Sequence, residues 1–268
     1  MSPQIRRLTR LVSVLRAENP GPMTLEGTNS LLLRAPGSDG VVVVDPGPDL
    51  PEHVQALAAA GPVELVLITH RHDDHTEAID SLRELTAAPV RAALPEHCRH
   101  GQPLRDGERL TAAGVSIEVL ATPGHTSDSL SFRILDDAAL IDGAAIAPIL
   151  TGDTVLGRGT TVVAHPDGQL GAYLSSLQRL HALCGEQGIT TVWPGHGPVI
   201  DDALGALDFY LAHREQRLEQ VRGALATLPD VDDPARAVVE VVYADVDPVL
   251  WGAAELSVRA QLAYLATR

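Results

Sequence analysis

Short apolar runs alternate with helical spacings along the first 200 residues of the chain. Two apolar runs, 30–34 and 41–45, flank a turn rich in Gly and Asp, and this pattern predicts a β-hairpin. Pro51 stands in the first turn of a predicted helix, which leads into a predicted strand over 63–69. Later spacings predict helices over 77–85 and 169–183. They also predict a strand that approaches Thr151 and strands over 115–121, 129–135, 138–141 and 190–193. Strands interleaved with helices indicate an α/β layered core.

The segment after residue 202 has a different pattern. Apolar residues recur at helical spacing from Leu207 to Leu228 and mark one face of a long helix. Asp233-Pro234 and Asp247-Pro248 each have the form of an N-cap residue followed by Pro at the first helical position. We therefore predict two units, a layered domain over residues 1–202 and a small helical module over residues 203–268.

Composition narrows the class of protein. A hydrophobic content of 45% is that of an ordinary globular protein, and no apolar run approaches the roughly 20 residues that span a bilayer. The Arg-bearing N-terminal segment lacks the apolar core of a secretory signal. Cys98 and Cys184 lie far apart, which suits a reducing compartment, and we expect both to be buried structural thiols. The expected location is the cytoplasm.

Charge bears on the partners of the protein. The formal net charge is −15, and all 20 basic residues are Arg. Binding a phosphate backbone needs a local excess of cations, and no long window of the sequence has one. From Asp201 onward, six Arg face twelve Asp and Glu. We therefore predict no strong basic nucleic-acid patch and no membrane contact.

The densest chemistry lies directly after the predicted strand over 63–69. Within six residues the chain carries His70, His72, Asp74 and His75. Neutral imidazoles and carboxylates are the ligands that zinc and similar ions take, at roughly 2.0–2.2 Å. Because unpaired buried His and Asp side chains are costly, this density predicts a metal site rather than a solvated loop.

Three further loops follow predicted strands, and each contributes one potential ligand: His125, Asp153 and His196. Gly124 permits a tight turn that would aim the His125 imidazole inward. Taken singly, each loop is as well explained by an ordinary turn. Together, ligand-bearing loops at the ends of several strands predict a single site at one edge of the sheet.

These residues, in this order, resemble the metallo-β-lactamase-fold hydrolase superfamily. The segment 43–47, with Asp45 at a strand end, is similar to the first motif of that family. The resemblance spans about residues 20–200 and implies a four-layer αββα sandwich with a two-metal site at one edge. The segments 21–29, 152–157 and 194–200 are most similar to the β-lactamase-like protein 2 branch. Some members of that branch are endoribonucleases with a winged-helix-like C-terminal module.

The resemblance also implies a role for each ligand. One metal would be held by His70, His72 and His125, the second by Asp74, His75 and His196, with Asp153 bridging the two. The ions are expected to be Zn²⁺, with Mn²⁺ or Fe²⁺ as alternatives. Two such ions about 3.5–4 Å apart would share a water and lower its pKa toward roughly 7, which gives a hydroxide nucleophile.

Residues outside the ligand set also receive expected roles. Asp74 would orient the water and take its proton, while Asp45 and Thr69 would fix the tautomers of the His ligands. His165 follows the Asp153 loop closely, and it is either an acid or phosphate contact to the substrate or a surface turn residue. Asp74 and His165 are therefore the candidate catalytic residues. Arg71 is expected to be solvated, and no motif supports the remaining histidines, His53, His97, His100, His181 and His213.

Several relatives differ at single positions. Lactamases that use a Cys ligand carry it where Asp153 stands, redox members with a diiron site have Glu at the position of His72, and glyoxalase II proteins continue differently after His196. The leading hypothesis is a binuclear metal-dependent hydrolase of the β-lactamase-like protein 2 type, acting on a phosphodiester such as single-stranded RNA or on an acyl substrate. One alternative is a glyoxalase II-like hydrolase of small esters, thioesters or lactones. Another is an interaction or homodimerisation module formed by the C-terminal helices.

Overall fold

Two β-sheets form the centre of the protein. The computed structural model describes residues 4–135, 139–141, 144–146, 148–228 and 233–268. The first sheet has six strands in sequence order: β1 (Arg6–Arg7), β2 (Val12–Arg16), β3 (Asn29–Leu33), β4 (Val41–Val44), β5 (Val63–Leu67) and β6 (Val90–Arg91). Strands β1 to β4 pair antiparallel, whereas β4, β5 and β6 run parallel.

The second sheet has five strands in the order β13-β12-β9-β8-β7. They are β7 (Arg109–Ala112), β8 (Val115–Ala121), β9 (Leu130–Ile134), β12 (Pro148–Gly152) and β13 (Thr191–Pro194). Among the described strands of this sheet, only β12 and β13 are parallel. Strands β10 (Ala139–Ile141) and β11 (Ala144–Ile146) form a separate hairpin. Residue 138, predicted to begin the strand over 138–141, lies outside the described residues.

Side-chain alternation along the strands builds the layers. In β4, Val42 and Val44 face the second sheet, whereas Val41 and Val43 face helices α1 (Pro51–Ala58) and α3 (Ile79–Thr86). The outer face of the second sheet, including Ile149, packs on helix α4 (Leu170–Gln187). Because successive strand residues point to opposite faces, each sheet contributes to two apolar cores. This arrangement confirms the expected four-layer αββα sandwich.

The spacing of apolar residues in helix α4 determines which face packs on the second sheet. Its buried residues recur every three or four positions, from Leu170 to Cys184, so one face covers the second sheet. The helix ends at Gly188, whose left-handed φ of +64° suits a residue without a Cβ. Burial raises the pKa of the Cys184 thiol to about 11, as expected for a structural thiol. Cys98 is only half buried and is likewise free of a disulfide.

Three helices follow the sandwich: α5 (Ala203–Leu225), α6 (Ala235–Val242) and α7 (Trp251–Leu265). The first half of α5 packs against α4, and its last turns pack against α6 and α7. Helix α5 therefore belongs to both apolar cores, although it begins right at the predicted domain boundary. The boundary itself stays a prediction.

The predicted helix caps are found close to their expected positions. Asp247 accepts a hydrogen bond from the Val249 backbone at the start of a short 3₁₀ turn, as predicted. The Asp233 carboxylate accepts from the Ala235 backbone, but α6 begins one residue later than predicted, after Pro234. The ring of Pro fixes φ near the helical value, and Pro has no backbone N–H that would need an acceptor. Pro234 is therefore tolerated at the cap position.

The hairpin over 30–34 and 41–45 is present as the antiparallel pair β3–β4. The predicted helix over 77–85 is α3, and it is preceded by a separate turn of helix, α2 (Asp73–Thr76), which carries part of the ligand-dense segment. Strands β1 and β2 were not predicted, because β1 consists of two Arg and the apolar alternation of β2 extends only over residues 12–14. Among the described residues, no helix combines the length and apolar character that a membrane span requires.

The turn at Gly124 provides a test of the packing between the second sheet and α4. A Cβ on Gly124, whose φ is +137°, would lie 2.3 Å from the Tyr173 backbone. We expect Gly124→Ala to lower the free energy of unfolding by more than about 2 kcal/mol, because strain and overlap add. Gly185→Ala is the control, since its Cβ meets nothing within 4 Å on the exposed face of α4. Urea unfolding should show Gly185→Ala slightly stabilised, by about 0.5–1 kcal/mol, and equal stability of the two variants would contradict this account of the turn.

Candidate metal centre

The seven predicted ligands come together at one edge of the sandwich. The ligand atoms of His70, His72, His125 and Asp153 lie within 4.8 Å of one another, and those of Asp74, His75 and His196 form a second such group. The loops that carry them follow β5, β8, β12 and β13, so both sheets contribute. That these groups hold metal ions stays a prediction.

Asp153 lies between the two groups. Its Oδ1 is 3.4 Å from His75 Nε2, and its Oδ2 is 3.3 Å from His196 Nε2 in the second group. The same Oδ2 is 3.8 Å from His125 Nε2 and 3.9 Å from His70 Nε2 in the first group. The Asp153 carboxylate therefore lies close to imidazoles of both groups, which is the position that a bridging ligand needs.

Asp45 orients two of the histidines. Its Oδ2 is 2.8 Å from His75 Nδ1, and its two oxygens accept from the Thr69 backbone N–H at 2.8 Å and the Thr69 hydroxyl at 2.7 Å. Because the Thr69 hydroxyl proton is donated to Asp45, its oxygen accepts from His70 Nδ1, 3.0 Å away. When neutral, both imidazoles therefore carry their proton on Nδ1 and turn Nε2 toward the centre, which is the role predicted for Asp45 and Thr69.

Backbone carbonyls orient two more histidines. His125 Nδ1 donates to the Val162 carbonyl at 2.8 Å, and His196 Nδ1 donates to the Gly27 carbonyl at 3.3 Å. His72 turns its Nδ1 inward, 3.0 Å from the Nε2 atoms of both His70 and His125. When His125 and His196 are neutral, their protons lie on Nδ1 and each directs an Nε2 lone pair at the neighbouring imidazoles, an arrangement that a bound cation relieves.

Two observations on the centre fit a pair of cations. Asp153 Oδ1 is buried and accepts no hydrogen bond from the described part of the chain. A Cβ on Gly195 would lie 2.5 Å from that oxygen and 2.8 Å from His75 Cε1, so only Gly leaves room for this crowding of ligands. The donor set of five imidazoles and two carboxylates suits zinc, manganese or iron.

Thr28 and Asn19 support the second group from a distant segment. The Thr28 hydroxyl donates to Asp74 Oδ2 at 3.0 Å. Asn19 holds Thr28 by two hydrogen bonds, from its Nδ2 to the hydroxyl at 3.0 Å and from the Thr28 N–H to its Oδ1 at 2.9 Å. Sequence reasoning did not assign these roles, because Thr28 lies 46 residues before Asp74 and carries no local signal.

Arg214, on α5, supports the loop that carries Asp153 through hydrogen bonds that pass through Thr161. The Thr161 hydroxyl donates to the Asp153 carbonyl at 2.7 Å, and the guanidinium of Arg214 donates to the Thr161 carbonyl. This guanidinium is buried and stacks over the Tyr173 ring at 5.0 Å. Tyr173 in turn donates its hydroxyl to the Thr154 carbonyl at 2.7 Å. A helix beyond the predicted boundary thus helps to place the bridging carboxylate, which no sequence motif indicated.

Comparison with known proteins shows the family of this chain. Residues 23–186 match the profile of the Metallo-beta-lactamase superfamily. This match covers more than half of the chain. The chain belongs to the metallo-β-lactamase superfamily. Residues 235–268 match a second profile, the Beta-lactamase associated winged helix domain, in agreement with the expected C-terminal module.

Two curated relatives within the superfamily cover most of the chain. The Beta-lactamase-like protein 2 homolog of Caenorhabditis elegans is 30% identical over 253 residues, which is 90% of this chain and 79% of that protein. The Atrochrysone carboxyl ACP thioesterase of Aspergillus chevalieri is 34% identical over 234 residues, or 84% of this chain and 68% of that protein. The expected similarity to the β-lactamase-like protein 2 branch is therefore confirmed.

Solved structures show the same architecture. The metallo-beta-lactamase family protein TTHA1429 from Thermus thermophilus superposes with a TM-score of 0.76 at 22% identity, covering 96% of this chain and 93% of that one. At this identity, the similarity concerns the fold alone. TTHA1623, solved in a di-iron-bound form, superposes with a TM-score of 0.53 at 30% identity over 70% of this chain and 94% of that one.

Electrostatics divide the histidines of this superfamily member into two kinds. Burial lowers the pKa of His70 and holds that of His125 at about 4. Burial also opposes charge on His196, yet Asp153 and Asp74 raise its pKa to about 9. The pKa of His75 is likewise raised despite burial, because the carboxylates of Asp153 and Asp45 lie beside it.

The carboxylates show the opposite shift. Burial favours the neutral form of Asp74, but the hydrogen bond from His196 and the charge of His75 lower its pKa to about 2. The same two imidazoles hold the pKa of Asp153 well below its usual range, again against burial. Protons on His75 and His196 therefore offset the two carboxylates, and divalent cations would take the place of these protons.

His165 and Arg71 lie outside both ligand groups. Arg71 is not simply solvated, because its guanidinium pairs with the Asp167 carboxylate at 2.8 Å. The His165 N–H donates to the Leu256 carbonyl of α7 at 3.3 Å. Its side chain lies in a cleft shared with the C-terminal module, lined by Asp233, Pro234, Arg259 and Leu262. The five histidines without motif support also lie outside both described groups.

The protons on His75 and His196 predict a pH-dependent metal affinity. Because both pKa values are raised, these imidazoles must lose protons to bind a cation, so the affinity should increase as the pH rises toward about 9. We expect at least about a tenfold gain in Zn²⁺ affinity per pH unit between about pH 6 and 8, measured by competition with a chromophoric chelator.

Asp45→Asn should weaken Zn²⁺ binding by about 10- to 100-fold at about pH 7.5. Both oxygens of Asp45 accept hydrogen bonds, so the NH₂ group of an Asn would face a donor of Thr69 or His75. Asp73→Asn is the matched control, since Asp73 is exposed in the same motif and belongs to neither group. A pH-independent affinity, or equal losses in the two variants, would rule out this arrangement of protons.

Proposed function

We propose that this chain is a binuclear metal-dependent hydrolase and that its substrates are acyl thioesters. The observation that supports this most is the convergence of seven side chains in two groups, with Asp153 between them. Two Zn²⁺ ions are the proposed cofactors. Mn²⁺ and Fe²⁺ are the alternatives, and the di-iron form of TTHA1623 gives iron specific support.

Two divalent ions in this centre would polarise the acyl carbonyl and lower the pKa of a coordinated water. Asp74 is held by Thr28, and its pKa of about 2 keeps it ionised at neutral pH. A carboxylate of such low pKa accepts a hydrogen bond well but retains a proton poorly. We therefore assign Asp74 to orienting the attacking water and passing its proton onward.

An acyl substrate suits the charge of the protein better than a polyanion does. Several Arg of the C-terminal module are engaged with acidic neighbours: Arg222 with Glu219, Arg236 with Glu240, and Arg259 with Asp233 and Glu255. With a net charge of −15, the surface repels a long phosphate backbone. The name of the Aspergillus chevalieri thioesterase, a relative at 34% identity, adds support for thioester chemistry.

Phosphodiester hydrolysis, including cleavage of single-stranded RNA, is the second candidate. Its specific support is the winged-helix match at residues 235–268, since helix-turn-helix-type modules commonly place a helix against nucleic acid. The same metal centre could act on a phosphoryl group. Ester and lactone hydrolysis, homodimerisation through the C-terminal helices and a cytoplasmic location also stay proposals.

A substrate panel separates these candidates. The Zn²⁺-, Mn²⁺- and Fe²⁺-loaded proteins should hydrolyse acyl thioesters faster than esters, lactones or a single-stranded oligoribonucleotide, and Asp153→Ala should lower the thioester rate by at least about 100-fold. Thioester hydrolysis should change little between about 50 and 200 mM salt, whereas RNA cleavage through several phosphate contacts would fall about 10³-fold over that range. Salt-sensitive RNA cleavage without thioester hydrolysis would establish the second candidate.

His165 remains a proposed acid for the leaving group. Its loop lies beside the first ligand group, because Asp167 pairs with Arg71 and accepts from the Ser127 N–H at 3.1 Å. We expect His165→Gln to lower kcat by about 100-fold with unchanged metal stoichiometry. His181→Gln, on the surface of α4 and paired with Asp208, is the control. A wild-type kcat in His165→Gln would leave this residue as a surface turn.

A further inference from the structure

Charge is unevenly distributed along this acidic chain. Residues 1–34 contain five Arg and two Glu, whereas the remaining residues contain fifteen Arg and thirty-three acidic residues. These five Arg lie on or beside strands β1, β2 and β3: Arg6, Arg7, Arg10, Arg16 and Arg34. One margin of the first sheet is therefore positive on a protein that is otherwise strongly negative, and the expectation that no long window of the sequence has an excess of cations is wrong for residues 1–34.

Part of this positive margin forms a cleft. Arg6 and Arg16, together with Arg158 from the loop after Asp153, line a cavity of about 670 Å³ that we call the basic cleft. Asn29, Gly197 and Pro198 also line it. Two acidic residues, Glu18 and Glu26, also line it, so the three Arg leave an excess of positive charge.

The basic cleft adjoins the metal centre through one turn of the chain. Gly197 and Pro198 directly follow the ligand His196. Asn29 holds this turn by donating to the carbonyls of Pro194 at 3.1 Å and Gly197 at 3.0 Å. On the other side, the Gly157 N–H, next to Arg158, donates to the His196 carbonyl at 2.9 Å. Only this turn of the chain therefore separates the basic cleft from the ligand His196.

The Arg side chains of the cleft are open to an anion. Within the described part of the chain, no carboxylate oxygen lies within about 4.0 Å of the Arg6 or Arg16 guanidinium nitrogens, the distance at which an ion pair forms. Arg158 pairs with Glu26, but the two side chains are 57% and 42% exposed. Pairs this exposed are weak and screened by water, so Arg158 can exchange Glu26 for a ligand at little cost.

We propose that the basic cleft binds the phosphate of a phosphopantetheine arm, so that the substrate is an acyl phosphopantetheine thioester carried by coenzyme A or by a carrier protein. This inference rests on the proposed thioester hydrolysis. Arg guanidinium groups match phosphate oxygens with paired N–H donors. In phosphopantetheine, the phosphate and the thioester are at opposite ends of the arm. The basic cleft and the candidate metal centre are likewise separate sites. Water adds its oxygen to the acyl carbon, the C–S bond breaks, and the arm leaves as a thiol that carries the second proton.

Matched small ligands test the cleft directly. Titration calorimetry of the Zn²⁺-loaded protein should show 4′-phosphopantetheine binding at least about tenfold more tightly than pantetheine, which lacks the phosphate. The same preference should appear in kcat/KM for the octanoyl thioesters of these two arms. Octanoyl coenzyme A and octanoyl carrier protein, which share the arm, then identify the natural source by their relative kcat/KM.

Charge-matched variants locate the contact. Arg16→Gln and Arg158→Gln should each lower the preference for the phosphorylated arm to less than about threefold in both measurements. Arg10→Gln is the control, because it removes the same charge from the same exposed segment but lines a different cavity with Arg7 and Arg34. It should retain the wild-type preference.

The outcomes are separable from those of the proposed function. If no thioester is hydrolysed, the proposed function fails, while Arg16-dependent binding of 4′-phosphopantetheine would still support the cleft. Equal binding of the two arms by the wild-type protein would overturn the inference, as would an equal loss in Arg10→Gln. It would also be overturned if a single-stranded oligoribonucleotide displaced 4′-phosphopantetheine and was itself cleaved.

Discussion

The buried carboxylate of Asp45 holds the metal centre to the first sheet. It lies at the end of β4, with a φ of +55°, and receives both the backbone and the hydroxyl of Thr69 at the end of the neighbouring strand β5. It also receives His75 from the turn of helix that follows. Because parallel neighbours end at the same edge, one acidic side chain can orient imidazoles from both ligand groups. Without it, His70 and His75 would lose their fixed tautomers and the centre its preorganisation.

The second sheet completes the centre, so the distance between the two sheets decides whether it can form. His125, Asp153 and His196 all lie on loops of the second sheet, and the apolar core between the sheets sets their separation from His70 and His75. Asp153 spans that separation. Its loop is supported in turn by Arg214 of α5, through Thr161. The C-terminal helices therefore contribute to the geometry of the centre as well as to a core of their own.

Charge organises the surface around this centre. Seven candidate ligands, five imidazoles and two carboxylates, form the proposed cation site of an acidic protein, and the Arg residues of the basic cleft beside it come mainly from the N-terminal strands. An acyl thioester with one phosphate matches this distribution: a neutral reacting group at the metals and a single anionic point in the basic cleft. A long polyanion would meet the negative remainder of the surface.

The sequence by itself determined the features that repeat locally. The apolar run over 41–45 predicted strand β4, the spacing from Leu170 onward predicted α4, and the motif from His70 to His75 identified four of the ligands. Gly before His125 indicated the tight turn that this ligand needs. These features can be predicted from the sequence because the periods of strands and helices, and the spacing of ligands within a loop, depend only on residues close together in the chain.

Only the tertiary structure decided which distant groups complete the site. Thr28 reaches Asp74 across 46 residues, the Val162 and Gly27 carbonyls orient histidines by backbone atoms that have no residue-specific signal, and Arg214 acts from a helix beyond the predicted domain boundary. Strands β1 and β2 were missed because they are too short for a clear alternation of apolar and polar residues, and the basic cleft was missed with them. Contacts of this kind depend on how the layers pack, and packing brings together residues whose separation along the chain carries no pattern.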